Sequence, residues 1–388
     1  PWDLAVRTRP DPAEVMVIGA GLAGCTVAAA LARRGLAVTL LEQRELAGGS
    51  SGNEQGILYT RLSRKHSALT DFALQSFTYA TRFYRSAFVR GELSPGLDGS
   101  LCGSFHVGVG ERELDYLGPV LEGIPDLARV LEASQASGLL GVDLQQRGIW
   151  YPNSGWLRPV SVCQLLARQP GISLLENCGS ISLAYKDGAW QARSGDRTLA
   201  STPCAVLATG TGWADMPQTQ WLPLQAIRGQ TTQLPASSQT MALQAGFCHD
   251  GYIAPARDGF HCIGATFDLG DPGEAPRPED HRTNLDALAS ALPDWRQELQ
   301  AIAVEELKGR VGFRCASPDY LPLVGPVPDR PAFLATFAGL RKNAKQRIPS
   351  RGCYLPGLYL SSGHGSRGLS STPLAAEVIA SQIMGESP

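Results

Sequence analysis

The chain has 388 residues, a hydrophobic fraction of 43% and a formal net charge of -2, and no apolar run approaches the roughly 20 residues that a membrane-spanning helix needs. This length exceeds one ordinary domain, so we expect a water-soluble, cytoplasmic protein of two interleaved domains without a membrane partner. The near-neutral charge excludes a nucleic-acid binder that works through overall basicity. Nine scattered cysteines without a C-x-x-C pair argue against a disulfide framework and against a zinc site, so no metal is expected.

The N-terminal part of the chain has the pattern of a βαβ unit. Residues 1–12 have the composition of a linker, and a strand at 15–19, a helix at 22–34 and a second strand at 37–42 follow. The first strand runs into Gly-x-Gly-x-x-Gly, a turn that lets a dinucleotide diphosphate approach the backbone at a helix N-terminus. Glu42, with Gln43 beside it, is placed to accept hydrogen bonds from a ribose. The turn residues predicted to bind the cofactor are Gly19, Ala20, Gly21, Leu22, Ala23 and Gly24.

Later segments predict the remaining architecture. Buried strands at 204–209 and 358–361 resemble the first strand, so we expect all three in one discontinuous Rossmann-like domain. A long helix is predicted at 68–90. Strands of a mixed sheet are predicted at 104–110, at 172–176, at 181–192 around a turn at 186–188, and at 225–234. The segments 252–255 and 261–267 flank Asp258-Gly259, which predicts a hairpin.

The predicted fold class is therefore α/β with a mixed α+β character. A discontinuous dinucleotide-binding domain is interleaved with a mixed-sheet substrate domain. We assign residues 13–60, 150–215 and 352–388 to the dinucleotide-binding domain, and residues 61–149 and 216–351 to the substrate domain.

The C-terminal segment carries the more specific signal. After the strand at 358–361, small residues lead into an apolar helix predicted from about 371 to 384. Small residues allow close approach of a flat isoalloxazine ring, and a helix N-terminus stabilises negative charge on the reduced ring. His364 stands between glycines, where a structural role and a catalytic-base role are both open. The turn residues predicted at the cofactor are Gly363, His364, Gly365, Ser366, Arg367, Gly368 and Leu369.

This arrangement resembles the D-amino-acid, glycine and sarcosine oxidase family. The resemblance implies a glycine-oxidase-like fold and FAD rather than NAD as the cofactor. A strand ending in Ala-Thr-Gly and a serine- and glycine-rich loop would complete the FAD site. The additional residues predicted to contact FAD are Ser51, Gly52, Asn53, Gln55, Gly56, Thr209 and Gly210.

Within that family, five motifs resemble the flavin domain of the bifunctional tRNA-modifying enzymes of the MnmC family. They are SGNEQGILY at 51–59, YPNSGWL at 151–157, DGY at 250–252, RVGFRCASPDYLPLVG at 310–325 and GSRGL at 365–369. The chain departs from that pattern at Gly363-His364, where a larger apolar residue is expected, and in lacking a methyltransferase half. The resemblance implies a tRNA partner and a methyltransferase domain that is fused or associated.

The implied reaction is FAD-dependent removal of the carboxymethyl group from 5-carboxymethylaminomethyl-(2-thio)uridine at the tRNA wobble position. The products would be 5-aminomethyl-(2-thio)uridine and glyoxylate. Two other functions stay open: an oxidase of a free small amino acid such as glycine or sarcosine, and a flavin-stabilised tRNA-binding module without turnover.

Three residues are candidates for the catalytic site. Arg314 is the predicted clamp for the substrate carboxylate, because a guanidinium pairs two-pronged with a carboxylate; a buried structural ion pair is the alternative. Tyr252 would add a hydroxyl group. Arg367 would hold the carboxylate, a flavin carbonyl or a phosphate, unless it is a surface residue at the helix entry. Tyr59 and Trp156 are candidates for stacking on a base, with a core position as the alternative.

One stretch of the chain is strongly basic. Residues 330–372 contain no Asp or Glu, and the candidate tRNA contacts within them are Arg341, Lys342, Lys345 and Arg347. Such a stretch can bind phosphates by releasing counterions, and a solvated loop is the alternative.

Overall fold

The computed structural model describes residues 13–65 and 67–386, so the predicted linker at 1–12 lies outside the described residues. Among the described residues, no helix has both the length and the apolar character needed to cross a membrane. The α-helices in this part of the chain are α1 (Leu22–Ala32), α2 (Ala68–Val89), α3 (Glu111–Glu122), α4 (Ala133–Leu140), α5 (Pro159–Ala167), α6 (Pro278–Ala291), α7 (Arg296–Gln300), α8 (Arg330–Thr336) and α9 (Gly368–Met384).

The strands in the same part of the chain form four sheets. In chain order the strands are β1 (Glu14–Ile18), β2 (Ala37–Leu41), β3 (Gly56–Leu58), β4 (Gly99–Ser100), β5 (Ser104–His106), β6 (Arg129–Leu131), β7 (Gly148–Tyr151), β8 (Gly155–Leu157), β9 (Ile172–Leu175), β10 (Ser182–Lys186), β11 (Ala189–Ser194), β12 (Arg197–Thr202), β13 (Cys204–Leu207), β14 (Gln225–Pro235), β15 (Gly246–Cys248), β16 (Tyr252–Ile253), β17 (Phe260–Gly264), β18 (Asp268–Leu269), β19 (Lys308–Ala316), β20 (Leu323–Pro328) and β21 (Tyr354–Ser362).

The first sheet has six strands in the order β20-β21-β13-β1-β2-β9, all parallel except the edge strand β20. The predicted adjacency of the first strand, the strand near 204 and the C-terminal strand is therefore confirmed. Alternate residues of β1 enter different cores. Val15 and Val17 pack in the core that includes α1 and α9, whereas Met16 and Ile18 pack with Trp190 on the opposite face. This alternation places helices on one face of the sheet and the small β10-β11-β12 sheet on the other.

Two segments form strands as predicted but do not belong to the mixed sheet to which the sequence assigned them. The segment predicted at 172–176 is β9, which pairs in parallel with β2 in the six-stranded sheet, and the segment at 181–192 forms β10 and β11 of a separate antiparallel sheet. A short apolar run indicates a strand but does not identify its partner, because pairing is decided by tertiary contacts. The strand predicted at 104–110 also ends early, at His106.

The second large sheet has nine strands in the order β18-β14-β17-β16-β15-β5-β7-β6, with β19 paired to β14. It is a mixed sheet as predicted, because β5 and β15 are parallel while the other neighbours are antiparallel. β20 lies in the range assigned to the substrate domain but pairs with β21, so the domain boundaries stay a prediction.

The long helix α2 matches the prediction at 68–90 closely. Ser67 and Thr70 form a capping box at its start, and Arg90 caps its end. Helix α9 begins earlier than predicted, at Gly368, and packs against α1 and α2. The N-terminus of α9 therefore lies directly after the glycine turn.

Candidate functional site

A cavity of about 870 Å³ lies between the two large sheets. Its walls include Gly19 and Thr209, which follow the carboxyl ends of β1 and β13 in the six-stranded sheet, and Arg314 from the nine-stranded sheet. Ligands of open α/β sheets bind outside the carboxyl ends of the strands, and the volume lies within the range of about 300–1,000 Å³ for ligand pockets. We therefore take this cavity as the candidate active site.

The first glycine turn forms one end of the cavity. Gly19 has φ of +102°, and a Cβ atom there would lie 2.4 Å from the carbonyl oxygen of Ala208. A Cβ atom on Gly24 would lie 1.7 Å from the carbonyl oxygen of Gly19. Helix α1 can therefore pack this closely against the end of β1 only because residue 24 has no side chain. Gly24 and Ala20 do not line the cavity. The turn residues that do line it are Gly19, Gly21, Leu22 and Ala23.

Glu42 fixes this turn as well as lining the cavity. The residue is 9% exposed, and its carboxylate accepts hydrogen bonds from the backbone N–H groups of Ala20 at 2.8 Å and Arg44 at 3.0 Å. Each carboxylate oxygen keeps a further lone pair, so the predicted ribose contact is still open to it. Gln43 lines the cavity beside Glu42.

The serine- and glycine-rich loop closes over the first turn. The Ser51 hydroxyl accepts a hydrogen bond from the Leu22 N–H at 3.0 Å, which leaves its proton for another partner. Gly52 does not line the cavity; it packs against a guanidinium, because a Cβ there would lie 2.3 Å from Arg310 Nη2. Ser51, Asn53 and Gly56 line the cavity. The loop is therefore held by one partly buried hydroxyl contact and one close arginine contact.

The C-terminal glycine turn forms another wall, where Gly363 and Gly365 have φ of +76° and +56°. Both ring nitrogens of His364 are occupied, with Nε2 at 3.1 Å from Ser361 Oγ and Nδ1 at 2.8 Å from Ser371 Oγ. Burial lowers the pKa of His364 to about 4. This geometry favours the structural role for His364 over the base role. The members of this turn that line the cavity are Gly363, His364, Gly365, Ser366, Gly368 and Leu369.

Arg367 lies outside the cavity wall. It stands at the N-cap of α9, and its guanidinium lies over the Tyr59 ring at 5.9 Å from the ring centroid. It lines a small adjacent pocket to which Tyr59 also contributes. The geometry favours the helix-entry alternative over a catalytic contact.

Arg314 reaches the cavity from β19 and is partly buried. Its Nη1 donates to the Thr266 carbonyl at 3.0 Å, and the guanidinium lies 5.7 Å from the Phe267 ring centroid. Gly229 leaves room for it, because a Cβ there would lie 2.2 Å from Arg314 Nη1. Burial lowers the pKa of Arg314. No carboxylate of the described residues forms an ion pair with it, which argues against the alternative of a structural ion pair. An unpaired guanidinium in a cavity attracts an anionic ligand.

Tyr252 lines the cavity, but its hydroxyl already makes a hydrogen bond within the protein. The hydroxyl donates to the Gln55 carbonyl at 2.8 Å and lies 3.4 Å from Cys262 Sγ. Burial raises the pKa of Tyr252. Gln55 does not line the cavity; its side chain binds the Pro255 carbonyl and the Cys262 N–H. The expected hydroxyl contact with the substrate therefore competes with an existing hydrogen bond.

The two candidate stacking residues, Trp156 and Tyr59, lie in different environments. Trp156 is 2% exposed and packs with Ile57 and Ala254, so it belongs to the core and does not stack on a ligand. Tyr59 lines the cavity, with its hydroxyl 3.3 Å from Ser366 Oγ. Stacking on a bound ring stays open for Tyr59 alone.

The basic residues Arg341, Lys342, Lys345 and Arg347 are all exposed, on the connection between α8 and β21. They do not line the cavity, and none of them forms an ion pair with a described residue. They are therefore available to an external polyanion rather than to the reacting group.

Tyr252 belongs to a row of cavity residues on the nine-stranded sheet, and the other four members of this row were not predicted from the sequence. Strand register places Ile149, His106, Cys248, Tyr252 and Gly264 side by side on neighbouring strands, and all five line the cavity. No sequence signal identifies these four, because they lie on strands that are far apart in the chain and meet only through strand pairing. Within residues 13–65 and 67–386, no cluster of three or more His, Cys, Asp or Glu side chains could hold a metal ion.

The family model of the FAD dependent oxidoreductases matches residues 14–382. The chain therefore belongs to this family and is an oxidoreductase with FAD as its cofactor, which confirms the cofactor predicted from the sequence. Over its whole length it is 42% identical to the tRNA 5-methylaminomethyl-2-thiouridine biosynthesis bifunctional protein MnmC of Pseudomonas aeruginosa, and 39% identical to that of Stutzerimonas stutzeri. The chain spans 59% and 58% of the lengths of these two relatives.

The fold is also similar to that of a solved structure. Glycine oxidase from Geobacillus kaustophilus superposes with a TM-score of 0.73 at 20% identity, with 96% of this chain and 95% of that chain covered. The predicted glycine-oxidase-like fold class is thereby confirmed.

The residues of the cavity fit FAD. In the first turn Gly19 and Gly21 offer backbone without side chains beside the N-terminus of α1, as a diphosphate requires. The Thr209 hydroxyl is buried and has no hydrogen-bond partner among the described residues, although Thr209 lines the cavity. Leaving such a group unsatisfied costs about 1–3 kcal/mol, so a polar atom of the cofactor would stabilise this wall.

Proposed function

We propose that this chain removes the carboxymethyl group from 5-carboxymethylaminomethyl-(2-thio)uridine at the tRNA wobble position, giving 5-aminomethyl-(2-thio)uridine and glyoxylate. The observation that carries the proposal is the Arg314 guanidinium, which faces the cavity without a carboxylate partner among the described residues. The substrate is an N-alkylated glycine, so its carboxylate is the partner that this guanidinium lacks. The names of the MnmC relatives support the choice of tRNA as the substrate.

Different residues of the chain would bind the cofactor, bind the substrate and hold the cavity wall. The glycine turns, with Ser51 and Thr209, would hold FAD, which supplies the hydride acceptor for oxidation of a CH–NH bond. Arg314 would bind and orient the substrate carboxylate, so that the adjacent carbon faces the isoalloxazine. Tyr252 would hold the adjacent cavity wall in place, because its hydroxyl donates a hydrogen bond to the Gln55 carbonyl. The imine that results from oxidation hydrolyses to glyoxylate and the primary amine.

We further propose that the chain acts in the cytoplasm, where tRNA is modified, and together with a methyltransferase domain that is fused or associated. The relatives carry the word bifunctional in their names and are longer than this chain, which supports that partner.

Flavin reduction distinguishes this function from its two alternatives. Under anaerobic conditions the flavin absorbance at about 450 nm will bleach on mixing with tRNA that carries the carboxymethylaminomethyl group, because that group offers the oxidisable CH–NH bond. The control is tRNA lacking the modification, which will leave the spectrum unchanged at the same salt concentration. Bleaching by free glycine or sarcosine at least as fast as by the tRNA would favour an amino-acid oxidase. Tight tRNA binding without bleaching would favour the binding module.

The exposed basic residues give a second prediction. Replacing Arg341, Lys342, Lys345 and Arg347 together by alanine will raise KM for modified tRNA about tenfold at physiological salt and leave kcat nearly unchanged, because phosphate contacts contribute to affinity rather than chemistry. The salt dependence of KM will also become shallower. A matched variant replaces four other exposed cations, Arg112, Arg129, Lys186 and Arg197, and keeps both values. Equal effects of the two quadruple variants would refute a local tRNA contact.

A further inference from the structure

One end of the cavity, at His106 and Cys248, is formed by residues that the proposed oxidation does not use. His106 on β5, Cys248 on β15 and Tyr252 on β16 are register partners on three neighbouring strands. Register partners project from the same face of a sheet, and neighbouring strands lie about 4.8 Å apart. His106 therefore lies roughly 10 Å from Tyr252 along the cavity floor, at two strand spacings.

A chain of hydrogen bonds determines which ring nitrogen of His106 carries the proton. The Ser154 hydroxyl donates to the Leu58 carbonyl, which can only accept. Ser154 must then accept from the Ser104 hydroxyl, at 2.7 Å, and Ser104 must accept from His106 Nε2, at 2.8 Å. With the proton on Nε2, the Nδ1 atom of the neutral ring is a bare acceptor. No described residue donates a hydrogen bond to it.

The ring is held in place and kept neutral by its surroundings. Its centroid lies 4.8 Å from that of Tyr151, in an edge-on arrangement, and 5.8 Å from that of Tyr59. Burial lowers the pKa of His106 to about 3. At physiological pH the cavity therefore presents a fixed, uncharged hydrogen-bond acceptor beside the accessible ring of Tyr59.

We propose that this end of the cavity is a pyrimidine-binding subsite, in which His106 Nδ1 accepts a hydrogen bond from the imide N–H of a uracil ring. This inference rests on the proposed function and deepens it. Enzymes that act on a base read its Watson–Crick edge by hydrogen bonds and stack it on aromatic side chains. Uracil carries a proton on N3 and cytosine carries a lone pair there, so a bare acceptor selects uracil.

The length of the cavity floor agrees with this substrate. A glycyl group linked through a methylene to a pyrimidine ring can extend from the Arg314 and Tyr252 end towards His106. A free glycine is too short to reach both ends. The subsite would thus restrict the enzyme to glycines that carry a ring on their nitrogen.

The test compares two anticodon stem-loop RNAs with the wild-type holoenzyme. One carries 5-carboxymethylaminomethyluridine and the other carries the same residue methylated on N3, and the rate of anaerobic flavin reduction is measured against RNA concentration. The N3-methyl RNA will show a KM about tenfold to a hundredfold higher, which corresponds to loss of one hydrogen bond and a clash. Equal reduction of both RNAs would overturn the subsite while leaving the proposed function intact. If neither RNA reduces the flavin, the proposed function fails and the subsite fails with it.

Two substitutions locate the effect at His106. His106→Phe keeps a ring and removes the acceptor, so it will raise KM for the N3–H RNA about tenfold to a hundredfold, leave kcat within about threefold and abolish discrimination between the RNAs. His106→Asn restores an acceptor oxygen near Nδ1 and will recover part of the discrimination. His261→Phe is the matched control, because His261 is buried in the same sheet and does not line the cavity. FAD content and thermal midpoint report folding; if His106→Phe does not fold, the two RNAs on the wild type decide alone. Unchanged discrimination in a folded His106→Phe would overturn the proposal.

Discussion

Replacing Arg314 by methionine will lower kcat/KM for flavin reduction by modified tRNA about a hundredfold to a thousandfold. The substitution removes the proposed partner of the substrate carboxylate, and hydrogen bonds to charged groups contribute about 1.5–3 kcal/mol each. Lysine will not restore the activity fully, because a single ammonium cannot make the two-pronged pair. Stopped-flow reduction at several RNA concentrations measures the effect.

The same substitution has a diagnostic effect on stability. Arg314 has no ion-pair partner among the described residues, so its loss leaves no carboxylate buried without a counter-charge. The thermal midpoint and the FAD content of Arg314→Met will therefore stay close to those of the wild type. Arg129→Met, at an exposed position on β6 of the same sheet, is the control and will leave kcat/KM unchanged. A large loss of stability with retained kcat/KM would show that Arg314 is structural.

Replacing Gly24 by alanine will reduce FAD occupancy of the purified protein to roughly a tenth or less. The new Cβ would lie 1.7 Å from the carbonyl oxygen of Gly19, far inside contact distance, so the turn that carries Gly19 and Gly21 must move. The ratio of flavin to protein absorbance, with titration of added FAD, measures the loss.

The control for this prediction is a glycine in open space. Gly118 lies in α3, and an added Cβ there meets no atom within 4 Å. Gly118→Ala will keep full FAD occupancy and add slight helix stability, because alanine is the better helix former. If Gly24→Ala also retains its FAD, close contact between helix and strand is not what shapes the diphosphate site.

Local patterns in the sequence were sufficient for the two glycine turns. Their glycine spacing is short-range and is visible in the sequence; the contact that requires Gly24 lies within the turn, whereas the contact that requires Gly19 is with the distant Ala208. The family, the cofactor and the glycine-oxidase-like fold followed from these motifs because they are contiguous in the chain. The carboxylate clamp at Arg314 stays a prediction, which its unpaired position in the cavity supports.

Individual side-chain roles depended on neighbours that are remote in sequence. Trp156 was a candidate for stacking but is a core residue. Its strand, β8, pairs with β3, and its side chain packs against Ile57 and Ala254. Local folding mattered as well: Ser361 and Ser371, only three and seven residues from His364, occupy both of its ring nitrogens, which favours the structural role over the base role. Arg367 belongs to the C-terminal glycine turn, yet it does not line the cavity and lines a smaller pocket beside Tyr59 instead.

The sequence by itself determined that this protein binds a dinucleotide at a βαβ turn and brings a small-residue turn to a flat cofactor, since both depend on residues a few positions apart. Only the tertiary structure decided which strands share a sheet, as the placement of β9 shows, and which side chains form the cavity floor. His106, Cys248 and Tyr252 meet because three strands pair in one register, and register arises from the packing of whole sheets. The sequence pattern does not indicate which strands pair, so the end of the cavity at His106 and Cys248 could be identified only from the tertiary structure.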